Sequence, residues 1–134
     1  MNFQNLAYAL TQVAHNFGAV VVVAAPLYVV LARPALRRGM LALVLGGWGL
    51  QVLSGVVFGL VSLYYYGRLP DLHGAAIAAL SIKMLSAGTA LVLIVAAWRF
   101  SSRWTQRGVA SMWSGLAVLG LTAITAAAFL RWYS

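Results

Sequence analysis

Four runs of apolar residues, each longer than the roughly 20 needed to cross a hydrocarbon core, decide what this chain can become. They cover residues 6–32, 39–66, 73–98 and 109–132 of a 134-residue sequence. None alternates apolar and polar residues with the dyad rhythm of a membrane barrel strand, so each reads as a helix. The remainder is short: Arg33 to Arg38, then Gly67 to Leu72, then Arg99 to Gly108. Connections of that length leave one arrangement to expect, an all-α integral membrane four-helix bundle with up-down-up-down topology in a single transmembrane domain spanning 1–134.

Composition closes off the alternatives. The chain is 63% hydrophobic and 7% charged, and a water-soluble domain of this size cannot hide so much apolar surface. Without cysteine there is no disulfide, thiolate metal site or thiol catalysis. Nine basic residues face one acid, Asp71, but most of them sit in the loops rather than in a stripe with interleaved aromatics. They therefore suit anionic lipid headgroups, and nucleic acid is not an expected partner. No Lys or Arg precedes residue 33, so the first apolar run lacks the basic flank of a cleaved signal and is expected to be retained.

The loops also give an orientation. Arg33, Arg37, Arg38, Arg99, Arg103 and Arg107 fall on one side, against Arg68 and Arg131, offset by Asp71, on the other. The positive-inside rule then puts the six-arginine side in the cytoplasm of a bacterial-type inner membrane, with both termini outside. Tyr64, Tyr65, Tyr66, Trp132 and Tyr133 are expected at the outer interface, and Trp98 and Trp104 at the inner one. Pro34 reads as a stop for the first helix and Asp71 as a cap for the third. Gly55 and Gly59 form a small-xxx-small pair that serves either the bundle or a partner subunit, and Pro26 can kink the first helix.

Two side chains inside the spans invite a functional reading, His15 and Lys83. An ionisable group at mid-membrane costs about 2.5–3.5 kcal/mol on insertion scales, so it should face the bundle interior and have a partner. His15 lies 18 residues before Arg33 and Lys83 16 before Arg99. At about 1.5 Å per residue this sets the two within roughly 3 Å in depth, one layer in the outer half. Thr11, Gly18 and Val22 share the face of His15, and Gly18 leaves either a shelf for a flat cofactor or room for another helix. Lys83 has Ser86 on its face. His73 lies about 12 Å from His15 in depth, too far for a bis-histidine pair between straight helices. No Asp or Glu lies within a span, which counts against proton-coupled exporters and rotor subunits, and no phosphate loop, carboxylate pair or hydrolytic triad is present.

The run His15-Asn16-Phe17-Gly18, with Ala24 and Leu27-Tyr28, resembles helix one of the four-helix HemJ and CopD-like membrane proteins. Ser81-Ile82-Lys83-Met84-Leu85 resembles the lysine-bearing third helix of the HemJ type. That resemblance implies haem b bound by His15 as iron ligand, with Lys83 as a second cofactor-binding residue at the porphyrin or its propionates, and an activity in electron transfer or porphyrin oxidation. Copper handling, the other property of CopD-like proteins, finds no methionine cluster here, since Met40, Met84 and Met112 lie on different helices. The competing expectation is a non-catalytic accessory or assembly subunit of a larger membrane complex, with membrane-protein partner subunits. A small-solute channel or transporter comes third.

Overall fold

The computed structural model describes residues 3–32, 35–68 and 73–133. They form four helices, α1 (Phe3–Leu31), α2 (Arg38–Tyr66), α3 (Ala75–Phe100) and α4 (Gln106–Tyr133), with a single 3₁₀ turn at Ser101–Arg103. All four are long and apolar enough to cross a membrane. Phe17, Val20, Leu53, Leu85 and Val92 point out of the bundle. Such a surface is costly in water and costs nothing in hydrocarbon.

The boundaries have local causes. Helix α2 stops at Gly67, whose φ of 66° only glycine adopts freely, and the Gly67 N–H returns to the Leu63 carbonyl at 2.9 Å. Helix α4 starts three residues before the apolar run predicts, because the Thr105 hydroxyl accepts the Gly108 N–H at 3.2 Å and satisfies an otherwise orphaned donor. Helix α1 likewise begins at Phe3 rather than residue 6, since Gln4 reaches Tyr66 Oη at 2.7 Å and ties that end to α2. The expected stop at Pro34, the cap at Asp71 and the placement of Arg33 lie outside the described residues.

Contacts between α1 and α2 run in opposite order along the two helices: Gln4 with Tyr66, Tyr8 with Phe58, His15 with Ser54, Gly18 with Gln51. Helix α1 packs on α2 and α4, α3 packs on α4, and α2 meets α3 over a smaller contact. Glycines set the close approaches. A Cβ at Gly47 would stand 2.7 Å from Val21 Cγ1, and one at Gly120 would stand 2.5 Å from the Val22 carbonyl oxygen. That carbonyl is the one that Pro26, four residues on and lacking an N–H, leaves without its helical partner. Gly120 thus brings α4 against the weak point of α1. Gly55, by contrast, is exposed with nothing within 4 Å of an added Cβ, so it takes no part in packing this bundle.

The core is asymmetric. Val22, Val29, Leu41, Trp48, Ile94, Trp113 and Leu116 are all essentially inaccessible, and they fill the half of the bundle nearer the arginine-bearing connections. The Trp113 indole N–H donates to the Ala35 carbonyl at 3.0 Å, pinning α4 to the segment between α1 and α2. Toward the other end the buried positions are small or polar: Ala76, Ala79, Ala123 and Ala126 stand beside Thr11, Gln51, Ser54, Ser62 and Ser86.

Candidate functional site

Two of those polar positions, Gln51 and Ser54, meet His15. Its Nδ1 lies 2.6 Å from Ser54 Oγ on α2, and its Nε2 lies 2.8 Å from Lys83 Nζ on α3. The layer predicted from depth alone is therefore a direct contact, and the rotation that depth could not give turns the two side chains toward each other.

The direction of the chain follows from what each group can donate. Ser54 has one hydroxyl proton, and it goes to the Leu50 carbonyl at 2.5 Å. Its oxygen is then an acceptor, so His15 Nδ1 carries the proton. A neutral imidazole protonated at Nδ1 has its lone pair at Nε2. The Lys83 amine donates into that lone pair. Lys83, His15, Ser54 and Leu50 thus form one unidirectional hydrogen-bonded chain linking three helices.

Two neighbours fix the imidazole further. The Gln51 side-chain amide donates to the His15 backbone carbonyl at 2.5 Å, tying α2 to α1 one turn from Ser54. Phe58 presents itself edge-on to the ring, with centroids 5.7 Å apart and planes 72° apart, and Phe58 in turn stacks with Tyr8 at 6.3 Å. Sequence reasoning missed Gln51, Ser54 and Phe58. A signal for the first two was present, a Gln and a Ser three residues apart on one face of an otherwise apolar helix.

The face of His15 is as expected, with Thr11, Gly18 and Val22 all buried. Thr11 nevertheless does not touch the ring; its hydroxyl donates to its own helix at the Ala7 carbonyl, 2.8 Å away. The shelf at Gly18 is taken by α2, since an added Cβ would meet the Gly47 carbonyl at 3.0 Å and Gln51 Cγ at 3.2 Å. Of the two readings open for Gly18, helix packing is the one the fold uses. On the Nε2 side the imidazole meets the half-buried Lys83 side chain. Ser86 is buried one turn from Lys83. His73 is exposed ahead of α3. Among the described residues no three His, Asp or Glu side chains come together as a metal site.

Fold and site together define a class: a four-helix chain with membrane-length apolar helices and an internal Lys-His-Ser relay. No protein-family model matches the chain, and neither a curated protein nor a solved structure matches it.

Proposed function

We propose that this is a polytopic inner-membrane protein that binds haem b at His15 and acts in electron transfer or porphyrin oxidation. The observation that carries the reading is the division of labour at the imidazole. Ser54 holds Nδ1, as a metal-bound histidine is held by an outer partner, and Nε2 is directed at a side chain flexible enough to leave. The donor chemistry of these residues suits the cofactor, which would have to displace Lys83 from Nε2. His15 Nε2 would take the iron, Ser54 and Phe58 would keep the ring oriented, and the Lys83 ammonium would pair with a propionate. When bound, haem supplies one-electron redox chemistry, its potential set by the axial ligand and the surrounding dielectric. The resemblance of helices one and three to HemJ-type proteins supports the same assignment.

The up-down-up-down topology is supported by the short connections and by the opposite order of contacts along α1 and α2. The six arginines on one side support a cytoplasmic position for the first and third connections, with both termini outside. The decisive measurement is an absorption spectrum of the protein purified in mild detergent, oxidised and then dithionite-reduced. The expected result is paired Soret and α bands that His15→Ala abolishes while helical content is unchanged. Full haem retention by that variant, or a flat wild-type spectrum after expression with ample haem, rejects the proposal.

A second reading, an accessory subunit of a larger membrane complex, is favoured by the open space around Gly55. A glycine that packs nothing in its own bundle is suited to the close approach of another helix. Gly55→Leu is expected to leave the unfolding transition unchanged and to release any co-purifying membrane partner. A partner retained at wild-type level counts against this reading.

A further inference from the structure

The junction of α3 and α4 carries three arginines within nine residues, Arg99 in the last turn of α3, Arg103 in the connection and Arg107 in the first turn of α4, while the chain's one acid, Asp71, belongs to the connection between α2 and α3. All three arginines are exposed. Beside them opens a cleft of about 550 Å³ between the end of α3 and the start of α4. Its rim holds Arg103, half-buried Trp104 and the Ser111 hydroxyl; its floor holds Leu93 and the buried Met112. The first turn of α4 has no acidic side chain to offset its positive dipole end.

A cavity that is cationic at the rim and apolar ten residues deeper along α3 is matched by an amphiphile of the opposite order. The rim accepts a phosphate, and the floor accepts the first carbons of an acyl chain. A free phosphate leaves Leu93 and Met112 unused, and a zwitterionic headgroup brings a second cation against Arg99, Arg103 and Arg107. We propose that this cleft is a binding site for one anionic phospholipid, seated with its phosphate at Arg103 and its acyl chain against Leu93 and Met112. Trp104 marks the interfacial depth, where indole rings settle at the headgroup level. The site is independent of His15 and stands whether or not the chain binds haem. Its consequence is selectivity: basic pockets between membrane helices hold anionic headgroups more firmly than a diffuse basic surface does.

The test uses the full chain in mixed micelles, titrated with a fluorescent phosphatidylglycerol and, separately, a fluorescent phosphatidylcholine. Wild type is expected to prefer the anionic lipid. Arg103→Ala should weaken that binding about fivefold, the weight of one arginine near an anionic surface, whereas Arg131→Ala at the other end should leave it unchanged. Ser111→Trp keeps every arginine but fills the cleft, and it should weaken binding at least as much. Equal binding of the two lipids overturns the proposal. So does wild-type binding by Ser111→Trp, which would mean that charge alone attracts the lipid. Displacement by millimolar inorganic phosphate overturns it in favour of a soluble anion.

Discussion

The two halves of the bundle are built by different rules. The half near the arginine-bearing connections is filled by Trp48, Trp113, Leu41, Ile94, Leu116 and Val29. The opposite half buries Thr11, Gln51, Ser54, Ser62 and Ser86 and carries the Lys83–His15–Ser54 chain. In water the first half would supply nearly all the stability. In a bilayer lipid tails solvate leucine as well as leucine does, so apolar contact contributes only through closeness of packing. Polar groups have no solvent to return to, and an ionisable one is tolerated at a cost that packing alone does not require. The apolar half holds by close packing; the polar half carries groups that close packing does not require.

The sharpest way to break that division is to attack the close packing. Gly120→Ala puts a Cβ 2.5 Å from the Val22 carbonyl oxygen, and a backbone atom cannot turn aside as a side chain can. Overpacking costs about 1–3 kcal/mol, and the upper end is expected here. Reversible unfolding of the variant in mixed micelles measures it. Gly55→Ala, which meets nothing within 4 Å, is the matched control and should be neutral to stabilising by up to about 1 kcal/mol, the helix-propensity gain of alanine over glycine. A neutral Gly120→Ala would mean that α1 and α4 are not held by close approach.

A smaller effect separates two tryptophans of the same core. Trp48 and Trp113 are equally inaccessible, but the Trp113 N–H has the Ala35 carbonyl while the Trp48 N–H has no partner among the described residues. Replacement by Phe shrinks the ring in both cases. At Trp113 it also removes a hydrogen bond, and at Trp48 it removes a buried donor whose burial costs about 1–3 kcal/mol. Trp113→Phe is therefore expected to be less stable than Trp48→Phe by about 2 kcal/mol, read from the same unfolding transitions. Equal stabilities would show that hydrogen bonding contributes nothing in the apolar half.

Much of this was legible before any coordinates. Apolar run length gave four helices, because span length is a property of the bilayer and needs no knowledge of packing. Counting residues from the arginines put His15 and Lys83 in one layer, because rise per residue is constant. Rotation about the helix axis was not legible, and with it went Ser54, Gln51 and Phe58, the partners that define the site. The glycines show the same limit. Gly55 and Gly59 have the spacing of a packing motif, yet Gly55 packs nothing, whereas Gly18, Gly47 and Gly120, on three different helices, make the contacts. Spacing within one helix does not say which face another helix will choose. The Thr105 cap was readable and was overlooked in favour of the apolar run that begins at Val109.

The smallest expected stability change is the most informative about the polar half. Ser54→Ala deletes the acceptor for His15 Nδ1–H and leaves the ring, Lys83 and Gln51 in place. Hydrogen bonds between helices in membranes average about 0.6 kcal/mol and reach about 1.7, so unfolding should shift by less than it does for Gly120→Ala. The chemical consequence is larger than the energetic one. With Ser54 gone, only the Lys83 donation into Nε2 still favours the Nδ1–H form, so the tautomer preference is expected to weaken and some Nε2–H form to be populated. Two-bond nitrogen–proton couplings of His15 by NMR should show one tautomer in wild type and a mixture in the variant. A loss above about 3 kcal/mol, the range of backbone overpacking, would make the Lys-His-Ser chain a structural strut and erase the contrast between the halves. A small loss with a scrambled tautomer would show that Ser54 exists to aim His15 Nε2, which is what a ligand-binding histidine needs from its neighbour.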